Sequence, residues 1–391
     1  MIRYGRALLP LWQLEDGMAF LNHGSYGATP RTIAAEADRW RARMESQPVR
    51  FFNEELPVAI RAAAQRLAAF VGTAPERLGF VENASAGTNA VLRSRRWHEG
   101  DEILTTSHVY NAVRKNLAWL GTMTGAVAVE AQVPFPTPDE ASVLDAIAAT
   151  ITPRTRLLLV DHVASASAVA MPLAAIVKLA HGHGIPVLVD GAHGPGMVDL
   201  DVDAIGADWY VGNCHKWLSA PKGSAFLAVA PGAPWPVHPT VISHSYGAGF
   251  AAEFDKIGTR DHSAWLATPA AIDFHLELGG AALRRRNATL ARDRALALAA
   301  ALGTETGAPA RMFEAIATVR LPWTGPPTWD AARLLRRELW QRRRIELHVT
   351  ALGGALWARI SAAAYNEEAD YAELASALGE SMAIAIDGMT S

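Results

Sequence analysis

Apolar residues in the middle of this chain fall in short runs that close on a polar or small residue: LGFVE from Leu78, DEILTT from Asp101, AVAVEAQV from Ala126, RLLLVD from Arg156, IPVLVD from Ile185, DWYVG from Asp208 and GSAFLAV from Gly223. Runs this short with little polar alternation read as strands buried on both faces. Helical spacing fills the gaps, predicting helices from about Gly87, from Asn111, over 139–149 and over 173–182. Such alternation specifies an α/β domain, a mostly parallel sheet of seven strands between helices. Past a turn-rich stretch from Pro231 to about Arg260 the pattern changes to long helices over 264–302, then ATVRL, a helix over 329–343, IELHV, ALWARIS and a last helix over 367–379. That order describes a second, smaller α+β domain.

Ahead of the alternating region, FLNHGSYGATP at 20–30 reads as a strand edge and a Gly-rich turn, with Thr29 placed to cap a helix that has Pro30 at its first position and runs to about Ser46. Ile60, Ala64, Leu67 and Val71 then recur at helical spacing until Gly72, predicting a helix from about Glu55. Between the two, QPVRFF reads as non-helical and carries Arg50. The division that follows is a large domain over 20–262 and a small domain made of 1–19 with 263–391.

Composition narrows the function classes. A net charge of −3 gives no electrostatic footprint for nucleic acid, and the arginine clusters at 284–286 and 342–344 read as solvated helix faces. No stretch reaches the ~18 uncharged apolar residues of a membrane span, and the amino-terminal apolar run is broken by Pro10, too short for a secretory signal. A single cysteine, Cys214, excludes an internal disulfide and thiolate metal clusters, which fits a reducing cytoplasm; it reads as structural. HGHG at 181–184 has no acidic ligand set or HExxH near it, so no metal site is expected.

The candidate chemistry centres on GNCHKWLSAPKG at 212–223. The chain has five lysines against thirty-one arginines, and one of the five, Lys216, stands between His215 and Trp217. Lysine's distinctive property is a primary amine that can lose its proton, so Lys216 reads as a Schiff-base lysine. Asp190 closes the run IPVLVD, where it could cap the strand end or pair with a pyridine nitrogen and keep that ring electron-poor; His193 follows three residues later. Ser85, Ala86 and Gly87 stand between a strand and a helix, where free N–H groups bind phosphate, although the same residues suit ordinary helix capping. Tyr110 follows the strand DEILTT, placed to stack on a planar ring or simply to pack, and Asn213 and His215 could donate to a phosphate.

Taken together, FLNHGSYGATP, QPVRFF, ENASAGTNAVL, VLVDGAHGPG, GADWYVGNCHKWLSAPKGSAFL, GTRD at 258–261 and ARISAAAYN at 358–366 make the chain resemble the class V aminotransferase family of fold-type I pyridoxal phosphate enzymes, nearest to its isopenicillin N epimerase-like subgroup. The resemblance implies that Lys216 binds the cofactor aldehyde, Asp190 pairs with its ring nitrogen and His193 contacts its phenolic oxygen. It implies further that Tyr110 covers the ring, that Ser85 with its neighbours, Asn213 and His215 hold the phosphate, and that Thr259 reaches a phosphate in the partner subunit of a homodimer. Arg359 matches the arginine that grips a substrate carboxylate; Asn22 and His23 fall beside the substrate, and Arg50, otherwise a surface arginine, would act across the interface. Related cysteine desulfurases carry a nucleophilic cysteine on the loop before that arginine, and HVTALGGALWAR has none, which disfavours persulfide transfer.

An enzyme of this kind uses the lysine as base at the α-carbon of an amino acid. Returning the proton on the opposite face gives an epimerase or racemase and needs a second acid, for which His23, His108 and Tyr110 are candidates. Expelling a β-substituent gives a C–S or other β-lyase, and protonating the cofactor gives transamination. A binding protein that keeps the fold without turnover is the alternative from another class.

Overall fold

The computed structural model describes residues 3–390. Twelve strands form three sheets among the described residues. The large sheet takes β2 (Leu78–Val81), β3 (Glu102–Thr106), β4 (Val127–Ala131), β5 (Thr155–Asp161), β6 (Val187–Gly191), β7 (Trp209–Asn213) and β8 (Ala225–Val229) in the order β2-β8-β7-β6-β5-β3-β4. The sheet is parallel except for β8, which runs antiparallel to β2 and β7. A short parallel pair joins β1 (Ala19–Phe20) to β10 (Ile345–Glu346), and β9 (Ile316–Arg320), β11 (His348–Leu352) and β12 (Ala355–Ser361) form an antiparallel sheet with β12 in the middle. The fold is α/β with a mostly parallel seven-stranded sheet, as the alternating pattern requires.

Successive residues of the central strands enter two different apolar layers. Leu158, Val160, Val187, Val189 and Tyr210 belong to one, and Leu157, Leu159, Leu188, Trp209 and Val211 to the other. Period-2 alternation is invisible in the sequence because both sides are dry. Within the large sheet only the edge strand β4 exposes residues, Val127 among them. No helix of the described residues is long and apolar enough to cross a membrane.

Four sequence expectations change. The helix expected to start at Pro30 under a Thr29 cap starts at Arg31, with Pro30 in the cap position and the Thr29 hydroxyl donating to the Ala220 carbonyl at 3.2 Å. QPVRFF is helical, with Pro48 opening a turn over Pro48–Arg50 that runs through a π-type turn at Phe51–Glu55 into the helix Leu56–Val71. Pro48 occupies the first turn, where its missing N–H has no partner to lose, and buried Phe51 packs edge-on against Phe52. The helix expected from Gly87 starts at Ala84, because Asn83 and not a later residue caps it, its side chain accepting from the N–H of Ala86. The last helix spans Leu374–Thr390, and Glu368–Asp370 make a separate turn before it.

The amino-terminal segment lies between the two larger sheets. The Leu21 carbonyl accepts from the N–H of Ser361, the N–H of His23 donates to the Ser361 hydroxyl, and the ring of His23 reaches the Lys216 carbonyl. The division expected at 19/20 therefore falls inside β1, whose partner β10 lies far along the chain.

Candidate active site

Parallel strands deliver their last residues to one edge, so β3, β5, β6 and β7 bring Tyr110, Asp161, Asp190 and Asn213 to a common cavity of about 440 Å³. Ser85, His193, His215 and Lys216 line it as well. Seven of the predicted residues, scattered over more than a hundred positions, thus share one space.

Lys216 lies in the turn after β7. Its Nζ is 3.2 Å from Nε2 of His193, whose Nδ1 accepts from the indole N–H of Trp217 at 3.1 Å. With Nδ1 occupied as acceptor, the ring proton sits on Nε2, so the contact is a hydrogen bond only when the amine is a free base. Burial first, then Lys216 and Arg359, hold the His193 ring neutral, its pKa well below the usual imidazole range. Burial and then Arg359 lower the lysine to about 8, while Asp190 and Asp161 pull the other way.

Asp190 is 3% exposed and accepts the N–H of Ala192 at 3.0 Å. Burial raises its pKa, opposed by that N–H and by Lys216. At the start of the helix Ala84–Arg93 the N–H of Ala84 goes to Oδ1 of Asn213 at 2.8 Å, that of Ala86 to Asn83 and that of Gly87 to the Asn83 carbonyl. The N–H and hydroxyl of Ser85 have no recorded partner among the described residues, and Ser85 faces the cavity. Ala86 and Gly87 do not line it; a Cβ on Gly87 would stand 2.7 Å from Cγ1 of Val211, so this glycine allows the helix to pack on β7. The ring of His215 bonds the Ser224 carbonyl through Nδ1 at 3.0 Å, leaving Nε2 as the free nitrogen, and burial lowers it to about 4.

Arg359 projects from β12. It is 2% exposed, yet all its partners are neutral: the Ser165 carbonyl at 2.5 Å and hydroxyl at 3.2 Å, the Ser25 hydroxyl at 3.0 Å and Oδ1 of Asn22 at 3.3 Å. Its Nε has no acceptor. A buried cation without a counter-charge is costly, and burial lowers its pKa to about 10, still a cation at neutral pH. Ser25 and Ser165 line the cavity, so an incoming carboxylate can reach this guanidinium and supply the missing charge.

Other predicted residues stand elsewhere. The ring of His23 is occupied, Nδ1 by the Tyr365 hydroxyl at 2.7 Å and Nε2 by the Lys216 carbonyl at 3.1 Å, and it does not line the cavity; it braces the lysine turn. Asn22 does not line the cavity; it bonds Arg359, Glu346 and the hydroxyl of the cavity residue Ser25, and acts on the site through those side chains. Arg50 has a side chain 62% exposed beside Glu54 and Glu55, away from the cavity. Thr259 lines a different cavity of about 900 Å³ with Phe52, Arg61 and His244. His108 is buried against Ser167 and Phe135. Of the three candidate second acids only Tyr110, 43% exposed, reaches the central cavity.

Sequence reasoning missed Ser25, Tyr26, Ser165, Lys222 and Asp161, all of which line the cavity. Asp161 carried a visible signal, since RLLLVD ends on an aspartate just as IPVLVD does. Gly27, with φ of +69°, lies so close to the lysine turn that a Cβ there would stand 2.1 Å from the His215 carbonyl oxygen. Gly27→Ala is expected to destabilise the protein by about 1–3 kcal/mol and to loosen the cofactor, measured by thermal unfolding and cofactor retention.

The sequence profile described as Aminotransferase class-V matches residues 29–370. The chain belongs to the class V aminotransferase family. Isopenicillin N epimerase of Streptomyces clavuligerus is 35% identical over 383 residues, spanning 93% of this chain and 95% of that one. L-cysteine desulfhydrase of Arabidopsis thaliana is 30% identical over 402 residues, spanning 94% and 88%. A cystine C-S lyase complexed with its product cysteine persulfide superposes with a TM-score of 0.80 at 21% identity over 93% of this chain and 98% of that one, which establishes likeness of fold. Cysteine desulfurase of Thermococcus onnurineus, at 0.79 and 18%, covers 99% of both chains.

As a class V family member the protein is a pyridoxal phosphate enzyme, and the cavity fits that cofactor. An aldehyde needs a free amine in dry surroundings, a pyridine nitrogen needs a carboxylate, and a phosphate needs unpartnered N–H and O–H groups; Lys216, Asp190 and Ser85 present these in one space.

Proposed function

We propose that this enzyme transfers a proton at the α-carbon of an α-amino acid, with epimerisation as the primary outcome and C–S β-elimination as the second reading. The observation that carries it is the buried, uncompensated Arg359, bonded to Ser25 and Ser165 in the wall of the cavity that also holds a lysine whose amine is lowered to about 8. Lys216 anchors the cofactor and, once released by the substrate amine, takes the α-proton; a base near working pH suits that role. Asp190 faces the ring nitrogen, His193 donates from Nε2 to the phenolic oxygen, and Tyr110 covers the ring. Ser85 and Asn213 bind the phosphate, with Thr259 arriving from the partner of a homodimer; His215, whose Nδ1–H is held by the Ser224 carbonyl, donates to the phosphate from Nε2 only as an imidazolium, which the phosphate's charge favours. Arg359, set by Asn22, Ser25 and Ser165, orients the substrate carboxylate. The bound pyridoxal phosphate supplies an electron-poor ring that stabilises negative charge at the α-carbon.

Epimerisation requires a proton donor besides Lys216, and Tyr110 is the candidate that reaches the cavity. Burial raises its pKa, so its hydroxyl is a neutral donor at working pH. The likeness to isopenicillin N epimerases supports this outcome, and the likeness to L-cysteine desulfhydrase supports elimination. Incubation with a panel of L-amino acids and β-lactam amino acids in deuterium oxide, following α-proton exchange, isomer formation, sulfide and keto acid, tests both. In an epimerase Tyr110→Phe is expected to keep exchange at the lysine face while isomer formation falls about 10²-fold or more. If sulfide release dominates and Tyr110→Phe reduces it less than about tenfold, elimination is the activity. Exchange with none of the panel counts against α-carbon chemistry.

A further inference from the structure

Beside Asp190 stands a second buried carboxyl to which the reading above gives no task. Asp161 ends β5 and Asp190 lies one position before the end of β6, and the two are direct neighbours in the parallel ladder. Opposite residues of adjacent strands project from the same side of a sheet, and both line the central cavity. The pair is locked in register by the N–H of His162 donating to the Asp190 carbonyl at 2.8 Å. Asp161 is 2% exposed and its Oδ2 has no hydrogen-bond partner. A buried oxygen left unpaired is expensive unless it carries a proton or meets a ligand.

Few groups face this carboxyl. Asp190 adjoins it from β6, Lys216 from the turn after β7, and the backbone N–H of Tyr110 from the segment after β3. On its own strand's continuation, His162 is tied to the Tyr210 hydroxyl at 2.9 Å. Two adjacent carboxylates therefore have one nearby cation, and that amine is the group the cofactor consumes. Like charges this close in a dry site do not both ionise, so the pair retains a proton.

Resting on the pyridoxal phosphate reading of the site, we infer that Asp161 is a positioning residue for the cofactor ring: it holds the proton of the carboxyl pair, leaving Asp190 as the charged member that faces the ring nitrogen. The Asp161 carboxyl also sits against the Tyr110 backbone, so the same residue fixes the group expected over the ring face. Burial, reinforced by Asp190, raises the Asp161 pKa well above the ordinary carboxylate range, in accord with this division.

The linkage has a definite sign. A carboxyl protonated in the native state but ionised in the unfolded chain makes stability fall as pH rises above about 4 and until the native pKa is passed. Asp161→Asn carries no titrating group there. The test compares wild type, Asp161→Asn and Asp161→Ala, as apoprotein by thermal unfolding from pH 5 to 7, and as holoenzyme by pyridoxal phosphate affinity and the pH dependence of its visible absorbance. Expected are a flatter unfolding profile for Asp161→Asn, cofactor affinity within about threefold of wild type for Asp161→Asn, and about tenfold weaker binding with a displaced absorbance titration for Asp161→Ala. If Asp161→Ala does not fold, Asp161→Asn decides through its apoprotein profile and holoenzyme spectrum. Variants that unfold and titrate like wild type overturn the inference while leaving the cofactor reading intact; a wild-type protein that binds no pyridoxal phosphate overturns both.

Discussion

Replacement of Lys216 by alanine is expected to abolish the borohydride-sensitive visible absorbance of the purified protein and to lower turnover by at least about 10³-fold, because one amine both anchors the cofactor and moves the α-proton. Spectra and single-turnover exchange measure the two losses separately. Added methylamine should restore some proton transfer and none of the anchoring, since a free amine replaces the base without the tether. The depressed pKa adds a pH signature. In the apoprotein the amine becomes a free base near pH 8 and not near 10.5, so capture of added pyridoxal phosphate should accelerate as pH rises through about 8 and then level off. Between those values the unfolded chain binds the extra proton, so the stability contributed by the neutral amine is complete above 10.5 and is lost as pH falls through about 8. A capture rate still climbing at pH 10 would show an ordinary exposed lysine.

Arg359→Gln is expected to reduce kcat/KM by about 10²- to 10³-fold, mostly through KM, matching the ~2–5 kcal/mol lost when one member of a buried charged pair is removed. The discriminating measurement uses a substrate and its carboxamide. Wild type should prefer the acid strongly, and in Arg359→Gln that preference should collapse. Arg359→Lys should recover little, because an ammonium cannot donate to Ser165, Ser25 and a carboxylate in one planar fork. Retained preference for the acid in Arg359→Gln would move the carboxylate site elsewhere.

Much of this is legible in the sequence. Buried parallel strands announce themselves as apolar runs, and a polar residue at the end of such a run is delivered to the edge where ligands bind; Asp190 and Tyr110 were found that way, and Asn213 by its place before the lysine. The same rule applied evenly would have found Asp161. Where the reading failed, the cause was local. In QPVRFF the proline opens the first turn of a helix where the reading had a non-helical link, and in ENASAG the capping asparagine occupies two of the N–H groups assigned to a phosphate, those of Ala86 and Gly87. Histidines were the least legible. His23 and His108 look like acids in a sequence, yet one has both ring nitrogens engaged and the other is walled in by Phe135, which only packing reveals. Arg359 was found by family likeness, and its missing counter-charge became visible only in three dimensions.

The pairing of β1 with β10 has a temporal consequence. Ala19 leaves the ribosome 345 − 19 = 326 residues before Ile345, the residue it must pair with. During translation the segment that braces the lysine turn through His23, and Arg359 through Asn22 and Ser25, waits for a strand not yet made. Both halves of the site therefore settle only after the chain has passed residue 345.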